Sequence, residues 1–367
     1  MNKPLNIVIA GGGTGGHLFP GIAIAQEFMD RHPETRALFV STGRPLELEI
    51  LARAGFPHRK INVEGIKGRG RFARMRALAK IPGSMWQAWG ILRQFAPDLV
   101  VGVGGYSSGP VVLAAHMGGI PCVLQEQNIL PGITNRILAR WADRIYISFE
   151  ETQFRTRKAA VRWTGNPVRR EIAAAAGGGR RCRHGERPFQ LLVLGGSQGA
   201  HSVNAAVVAA VGHLGDIGRI HVVHQTGVQD EGMVRSAYER QGASADVRAF
   251  FDDMPERYRQ ADLIVCRAGA TTVAEISAVG KPAIFIPFPF AADNHQVLNA
   301  RTLASAGAAE ILQEKNLDGP LLAERVRRLV RDPGLLAGMA ACAGRMGRPD
   351  AAAEIVDDCY KLLAGPA

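Results

Sequence analysis

Cysteine is scarce in this chain. The five among 367 residues (Cys122, Cys182, Cys266, Cys342 and Cys359) are odd in number, scattered and never in C-x-x-C spacing. That pattern argues against a disulfide framework or a thiolate zinc site and predicts free thiols in a reducing compartment. Long apolar runs are also missing, since no stretch reaches the roughly 18 uninterrupted apolar residues of a membrane span. Met1-Asn2-Lys3-Pro4 runs straight into a strand pattern, which predicts no secretory signal. Histidines at metal-ligand spacing are lacking as well. Only His221 and His224 are close in sequence, and in a strand-like run their odd separation points them to opposite faces.

What the chain does have is length, apolar residues and positive charge. Its 367 residues suit two domains, 47% of them are apolar, and the formal net charge is +11. Such a charge implies an acidic partner: a phosphate-rich substrate, an anionic lipid or a nucleic acid.

Strand-length apolar runs alternate with amphipathic segments of helical length, the α/β signature. In the first half the pattern predicts strands near 5–10, 36–41, 98–103, 120–124 and 143–147. Helices are predicted over 20–31, 45–54, 83–95, 109–117 and 132–141. Residues 171–188, rich in Ala, Gly and Arg, read as a linker or exposed loop. The pattern then restarts with the apolar run Phe189–Leu194, a glycine turn and a helix, and the tail over 318–364 reads as helical. Both halves therefore open alike, each placing a glycine turn at the carboxyl edge of its sheet, where open α/β sheets bind ligands.

The first turn, "GGGTGGHLFPG" at 11–21, fits G-x-G-x-x-G through Gly11, Gly13 and Gly16. A nicotinamide site also calls for a carboxylate at the end of the second strand, but Ser41-Thr42-Gly43-Arg44 stands there. Arg44 suits a 2′-phosphate, which leaves an NADP enzyme as an alternative. His17, just past the glycines, reads either as a polar cap or as a catalyst. In the second half, "CRAGATTVAEIS" at 266–277 follows an apolar strand. Thr271 and Thr272 are expected to cap a helix whose N–H groups make an anion site, with Glu275 one turn in, within reach of a ribose diol. The competing role for Glu275 is simple complementation of the helix dipole. In "PFPFAADNHQ" at 287–296, two prolines stiffen a loop, and Asp293 is expected to cap a helix bearing His295 and Gln296.

These segments, with "GVGGYSSGP" (102–110), "EQN" (126–128), "GNPVR" (165–169), "GGSQGA" (195–200) and "FFDDM" (250–254), occur in one order along the chain. In that order the sequence resembles the peptidoglycan lipid-intermediate N-acetylglucosaminyltransferase family over essentially its whole length. The resemblance implies two Rossmann-like domains facing across a cleft, the glycosyltransferase B-type fold. It implies an acceptor and membrane domain over 1–166 and a UDP-sugar domain over 167–347, with a helix at about 348–367 packing back on the first.

The implied reaction is an inverting, metal-independent transfer of N-acetylglucosamine from UDP to the 4-hydroxyl of a muramoyl peptide on undecaprenyl diphosphate, with no cofactor. Donor contacts carried over by the resemblance are Thr14, Gly15, Gly16, Asn128, Arg169, Ser197, Phe251, Ala270, Thr271, Thr272, Val273, Ala274, Glu275 and Gln296. Arg169 and the helix opening at Thr271 would meet the diphosphate, Glu275 the ribose, and the Phe251 backbone the uracil edge. Gly13, Gly104, Gly105, Tyr106 and Ser107 would form the acceptor surface. His17 is the expected general base and Glu126 its rival. Family patterns often carry histidine where this chain has Gln125, so an acid–base role at that position is not expected here.

Between residues 59 and 80, eight cations stand against the single acid Glu64, seven of the chain's eleven net charges. Apolar Phe72 and Met75 are interleaved with Arg71, Arg74 and Arg76. Such a segment suits an anionic membrane surface, and the resemblance implies that this surface is the cytoplasmic face of the bacterial inner membrane. The plainer reading is a solvated basic loop leading into a helix that buries Met85, Trp89 and Leu92 at i, i+4, i+7 spacing. A nucleic-acid-binding module would account for the charge but not for the two glycine turns. Another lipid-directed UDP-sugar transferase of the same architecture is the nearest alternative.

Overall fold

A computed structural model describes residues 3–13, 15–64, 80–156, 159–175, 187–196, 199–215 and 220–365. The chain divides into two compact units, one of Met1–Arg169 with Asp350–Ala367, the other of Arg170–Pro349.

The first unit holds β1 (Asn6–Gly11), β2 (Arg36–Ser41), β3 (His58–Lys60), β4 (Leu99–Gly104), β5 (Cys122–Glu126), β6 (Arg144–Ile147) and β7 (Ala160–Trp163). They form one sheet in the order β3-β2-β1-β4-β5-β6-β7, every neighbouring pair parallel. Because successive strand residues face opposite sides, Ile7 and Ile9 enter one apolar cluster while Val8 and Ala10 enter another. Burial on both faces is why these strands read as unbroken apolar runs rather than as alternating ones. The first cluster takes in Ile355, Val356 and Cys359 of the terminal helix Ala351–Ala364. Asp358 ties that helix to the sheet, accepting from the Tyr146 hydroxyl at 3.0 Å and pairing with Arg144 and Arg162.

The second unit holds β8 (Phe189–Leu194), β9 (Ile220–Gln225), β10 (Ala245–Arg248), β11 (Leu263–Cys266), β12 (Ala283–Phe285) and β13 (Ala309–Ile311), in the order β10-β9-β8-β11-β12-β13, again all parallel. Both sheets reverse direction of growth beside their first strand, between β1 and β4 and between β8 and β11. Each reversal opens a crevice at the carboxyl ends of the strands, where doubly wound sheets take ligands. The glycine turns after β1 and β8 sit at those two points.

Three helices depart from expectation. The first begins at Gly15 and runs to Arg31, with Pro20 inside it. The expected start, residue 20, is a proline, whose missing N–H instead removes one bond within the helix. The earlier start places His17 in the first turn. In the helix Ile81–Phe95 the buried face is Ser84, Ala88 and Leu92, one position round from the face expected, which leaves Trp86 80% exposed and Trp89 outside the core. The third, Ile133–Leu138, is shorter at both ends than the 132–141 expected. The linker segment contributes a short helix at Arg170–Ala174, and the rest of it lies largely outside the described residues.

Candidate active site

In the first unit the loops after β1, β4 and β5 converge on one edge of the sheet. Gly105 has φ +81°, and a Cβ there would collide with the Gly12 carbonyl oxygen, so only glycine lets these two loops touch. Next to it, a Cβ on Gly104 would press within 3.3 Å of the His17 ring, so the imidazole occupies the space that a side chain at 104 would fill. Tyr106 is exposed at the rim, whereas Ser107 is fully buried and its Oγ makes no hydrogen bond among the described residues.

The first glycine loop already holds a carboxylate of its own. Glu47, buried in the helix Pro45–Arg53, accepts from the Gly13 N–H, the Ser41 and Thr42 hydroxyls and the Arg44 N–H. Burial pulls its pKa upward, but these hydrogen bonds outweigh it and hold the carboxyl below its ordinary value. Arg44 is tied to the same loop through the Gly13 carbonyl at 3.4 Å. A phosphate at the Gly13 N–H would have to displace Glu47, which disfavours a dinucleotide there. Local sequence carried part of this signal: Pro45 at the helix start and Glu47 three residues after Arg44.

His17 is half-buried, and its Nδ1 lies 3.0 Å from Gln127 Oε1. Gln127 is itself buried, with Nε2 donating to the Val103 carbonyl at 2.8 Å and to Gln125 Oε1. Gln125 donates in turn to Asn166 Oδ1 at 3.0 Å and to Ser148 Oγ at 3.2 Å. Glu126, 1% exposed, is saturated from within. Its oxygens accept from the backbone of Asn128 and of Gly132, each at 3.0 Å, from Asn135 Nδ2 at 2.9 Å and from Asn128 Nδ2 at 3.4 Å. With those donors in place the carboxylate fixes the turn after β5, and Asn128 is held by it. Arg169 stacks its guanidinium 4.4 Å from the Phe19 ring centre. Sequence reading missed the structural parts played by Gln127, Asn135 and Asn166, which join segments far apart in the chain.

In the second unit the loop after β8 is backed by a buried network. Asn204 donates to the Thr226 carbonyl and to Asp230, which turns its oxygen toward His224 Nε2 at 3.0 Å, while Tyr238 bonds His224 Nδ1. Burial pushes His224 down to about 3, so it serves as a neutral spacer. His221 faces elsewhere, onto Ser244, and no cluster of three metal-ligating side chains occurs among the described residues.

The helix Ala270–Val279 follows β11, with Gly269 rather than a threonine at its N-cap and no side-chain cap bond. The expected caps, Thr271 and Thr272, fall inside the first turn because the chain is already helical at Ala270. Ala270, Val273 and Glu275 are buried and Ala274 is half-buried. Any ligand contact by Val273 would therefore be through its backbone. Glu275 Oε2 accepts the Tyr258 hydroxyl at 2.9 Å. Phe251 donates its N–H to Gln225 Oε1 at 3.2 Å, and its ring lies under Arg248 and Arg257, 5.3 and 4.5 Å away. Gln296 Oε1 accepts from the Phe288 N–H at 2.9 Å, which pins the proline loop. Asp293 does not cap the next helix; it has φ +54°, and Asn294 is the N-cap, again without a side-chain bond. Thr14, Ser197, Arg71, Phe72, Arg74, Met75 and Arg76 lie outside the described residues.

Residues 7–147 match the glycosyltransferase family 28 N-terminal domain, and residues 190–355 match the glycosyltransferase family 28 C-terminal domain. The chain is 48% identical to the UDP-N-acetylglucosamine--N-acetylmuramyl-(pentapeptide) pyrophosphoryl-undecaprenol N-acetylglucosamine transferase of Syntrophus aciditrophicus, over 98% of this chain and 99% of that one. It is 46% identical to the enzyme of the same name from Geobacter sulfurreducens, over 96% and 98%. Among solved structures, Acinetobacter baumannii MurG superposes with a TM-score of 0.77 at 31% identity, over 98% of this chain and all of that one. The calicheamicin glycosyltransferase CalG4, at 16% identity and a TM-score of 0.69, shares the fold. Two all-parallel α/β units of this kind make up the glycosyltransferase B-type fold, and the chain belongs to glycosyltransferase family 28, in the branch formed by these N-acetylglucosamine transferases.

Proposed function

We propose that the chain transfers N-acetylglucosamine from UDP-N-acetylglucosamine to the 4-hydroxyl of an N-acetylmuramoyl pentapeptide carried on undecaprenyl diphosphate. The named relatives, similar along almost their full length, support this donor and acceptor. Transfer is a single displacement. The acceptor oxygen bonds to the anomeric carbon as the bond from that carbon to the UDP oxygen breaks, and the acceptor's proton passes to a base.

The observation that carries the chemistry is the contrast between His17 and Glu126. His17 has one ring nitrogen engaged by Gln127, leaving the other to take a proton, while Glu126 spends its oxygens on four donors around its own turn. His17 is thus the base in this reading, and Glu126 and Asn128 shape the loop beside it. In the second unit the first turn of the helix Ala270–Val279, including Thr271 and Thr272, supports the departing diphosphate with backbone N–H groups. Arg169 and Ser197 add to it without a metal ion. Glu275 takes the ribose diol, the Phe251 backbone the uracil, and Gln296 the sugar hydroxyls. Thr14, Gly15, Gly16, Gly104, Gly105 and Tyr106 border the two sugars and the acceptor diphosphate. No helix among the described residues is long and apolar enough to cross a membrane. The basic segment and exposed Trp86 support attachment to an anionic surface, at the cytoplasmic face where the lipid-linked acceptor is offered.

The test is release of UDP from several UDP-sugars with and without a short-chain, lipid-linked muramoyl peptide. Release that needs both UDP-N-acetylglucosamine and this acceptor, with a β-linked product by proton coupling, supports the reading. Equal turnover of UDP-galactose onto diacylglycerol would overturn it.

A further inference from the structure

We propose that Gln127 is a positioning residue that sets the tautomer of His17, an inference that rests on the reading of His17 as the base. A backbone carbonyl can only accept, so the 2.8 Å contact from Gln127 to the Val103 carbonyl identifies the contacting atom as the amide nitrogen. The second hydrogen of that nitrogen goes to Gln125 Oε1, whose own amide is turned by Asn166 Oδ1 and Ser148 Oγ. Both hydrogens of Gln127 are thus spent on buried acceptors, and its oxygen must face His17 Nδ1 at 3.0 Å.

An oxygen there can only accept, so the Nδ1 of neutral His17 carries the hydrogen and its lone pair is on Nε2. Unconstrained neutral histidine favours the opposite arrangement, with the hydrogen on Nε2. The amide chain from Asn166 through Gln125 and Gln127 therefore holds His17 in its less common form, with the basic nitrogen turned away from the amide. His224 shows the reverse case in the same molecule, since Asn204 Oδ1 requires the hydrogen on Nε2 and Tyr238 can donate to Nδ1. Glutamine fits at position 125 because an amide offers an acceptor and a donor at fixed ends and does not titrate. Orienting the base needs both ends at once.

The tautomer can be read directly, by long-range 15N–1H correlation on the 15N-histidine-labelled full chain near pH 8, with His17→Ala assigning the His17 signals among the ten histidines. The relay requires a protonated-type Nδ1 and an unprotonated-type Nε2 at His17. Gln127→Met removes the acceptor and should shift His17 toward the Nε2–H form, lowering kcat about tenfold or more with the KM for UDP-N-acetylglucosamine unchanged. A wild-type His17 with its hydrogen on Nε2, or a Gln127→Met variant that keeps the Nδ1–H form, overturns the relay. If the tautomer moves as stated while kcat does not, the relay stands and the assignment of His17 as base falls. Should Gln127→Met fail to fold, the wild-type spectrum alone decides.

Discussion

Tyr258 donates its hydroxyl to Glu275 at 2.9 Å inside the second unit, where both side chains are buried. The tyrosine orients the carboxylate, which stands in the second turn of the helix Ala270–Val279, one turn beyond the N–H groups proposed for the diphosphate. Glu275→Ala should therefore weaken UDP and UDP-N-acetylglucosamine together. Loss of a charged hydrogen-bonding partner costs about 1.5–3 kcal/mol, roughly 10- to 150-fold in affinity. Tyr258→Phe, which leaves the carboxylate in place, should cost less. Calorimetric titration with UDP checks both, and unchanged affinity in a folded Glu275→Ala protein would remove the ribose assignment.

Much of the architecture was legible in the sequence because parallel strands buried on both faces leave unbroken apolar runs, as Leu263–Cys266 and Leu191–Leu194 do. The start of the first helix was not, since Gly15 and Gly16 have low helix propensity and Pro20 mimics a start signal. Thr271 and Thr272 resembled caps because their residue type fits, but the cap is set by the extended backbone of Gly269, which sequence does not announce. Glu47 and Arg44 share a local capping signal, while the bond from Glu47 to Gly13 spans 34 positions. Gln127 illustrates the general difficulty: its partners are His17, Val103 and Gln125, and only folding brings the first of these to the loop after β5.

Acid should loosen the second unit through His224. Its folded pKa is lowered by burial to about 3, against about 6.5 when unfolded. Between those values the unfolded chain binds the extra proton, so this contribution is complete above about pH 6.5 and erodes as pH falls toward 3. From pH 7.5 to 5 the loss is about 2 kcal/mol. His224→Gln, though less stable throughout, should lack that part of the slope. Urea unfolding read by hydrogen exchange of β9 amides at both pH values makes the comparison, and equal slopes would contradict it.

Membrane attachment is expected to depend on the basic segment. Arg71→Ser, Arg74→Ser and Arg76→Ser together should lower binding to anionic vesicles, at about 1 kcal/mol per cation near the surface. Turnover of a detergent-dispersed short-chain acceptor should persist. Sedimentation with phosphatidylglycerol vesicles at low salt measures this, and undiminished binding would return the segment to a solvated loop.

In the proposed reaction His17 takes the acceptor's proton. Single-turnover transfer by His17→Ala, with a saturating lipid-linked acceptor and UDP-N-acetylglucosamine, tests it most directly. General-base catalysis typically contributes 10²- to 10⁴-fold, so the rate should fall by about 10²-fold or more while UDP affinity stays near that of the parent. Glu126→Gln, whose oxygen can still accept from part of the turn, should keep a rate well above that of His17→Ala. A near-normal rate in His17→Ala with a raised acceptor KM, together with loss of transfer in a folded Glu126→Gln protein, would contradict the account and pass the proton to Glu126.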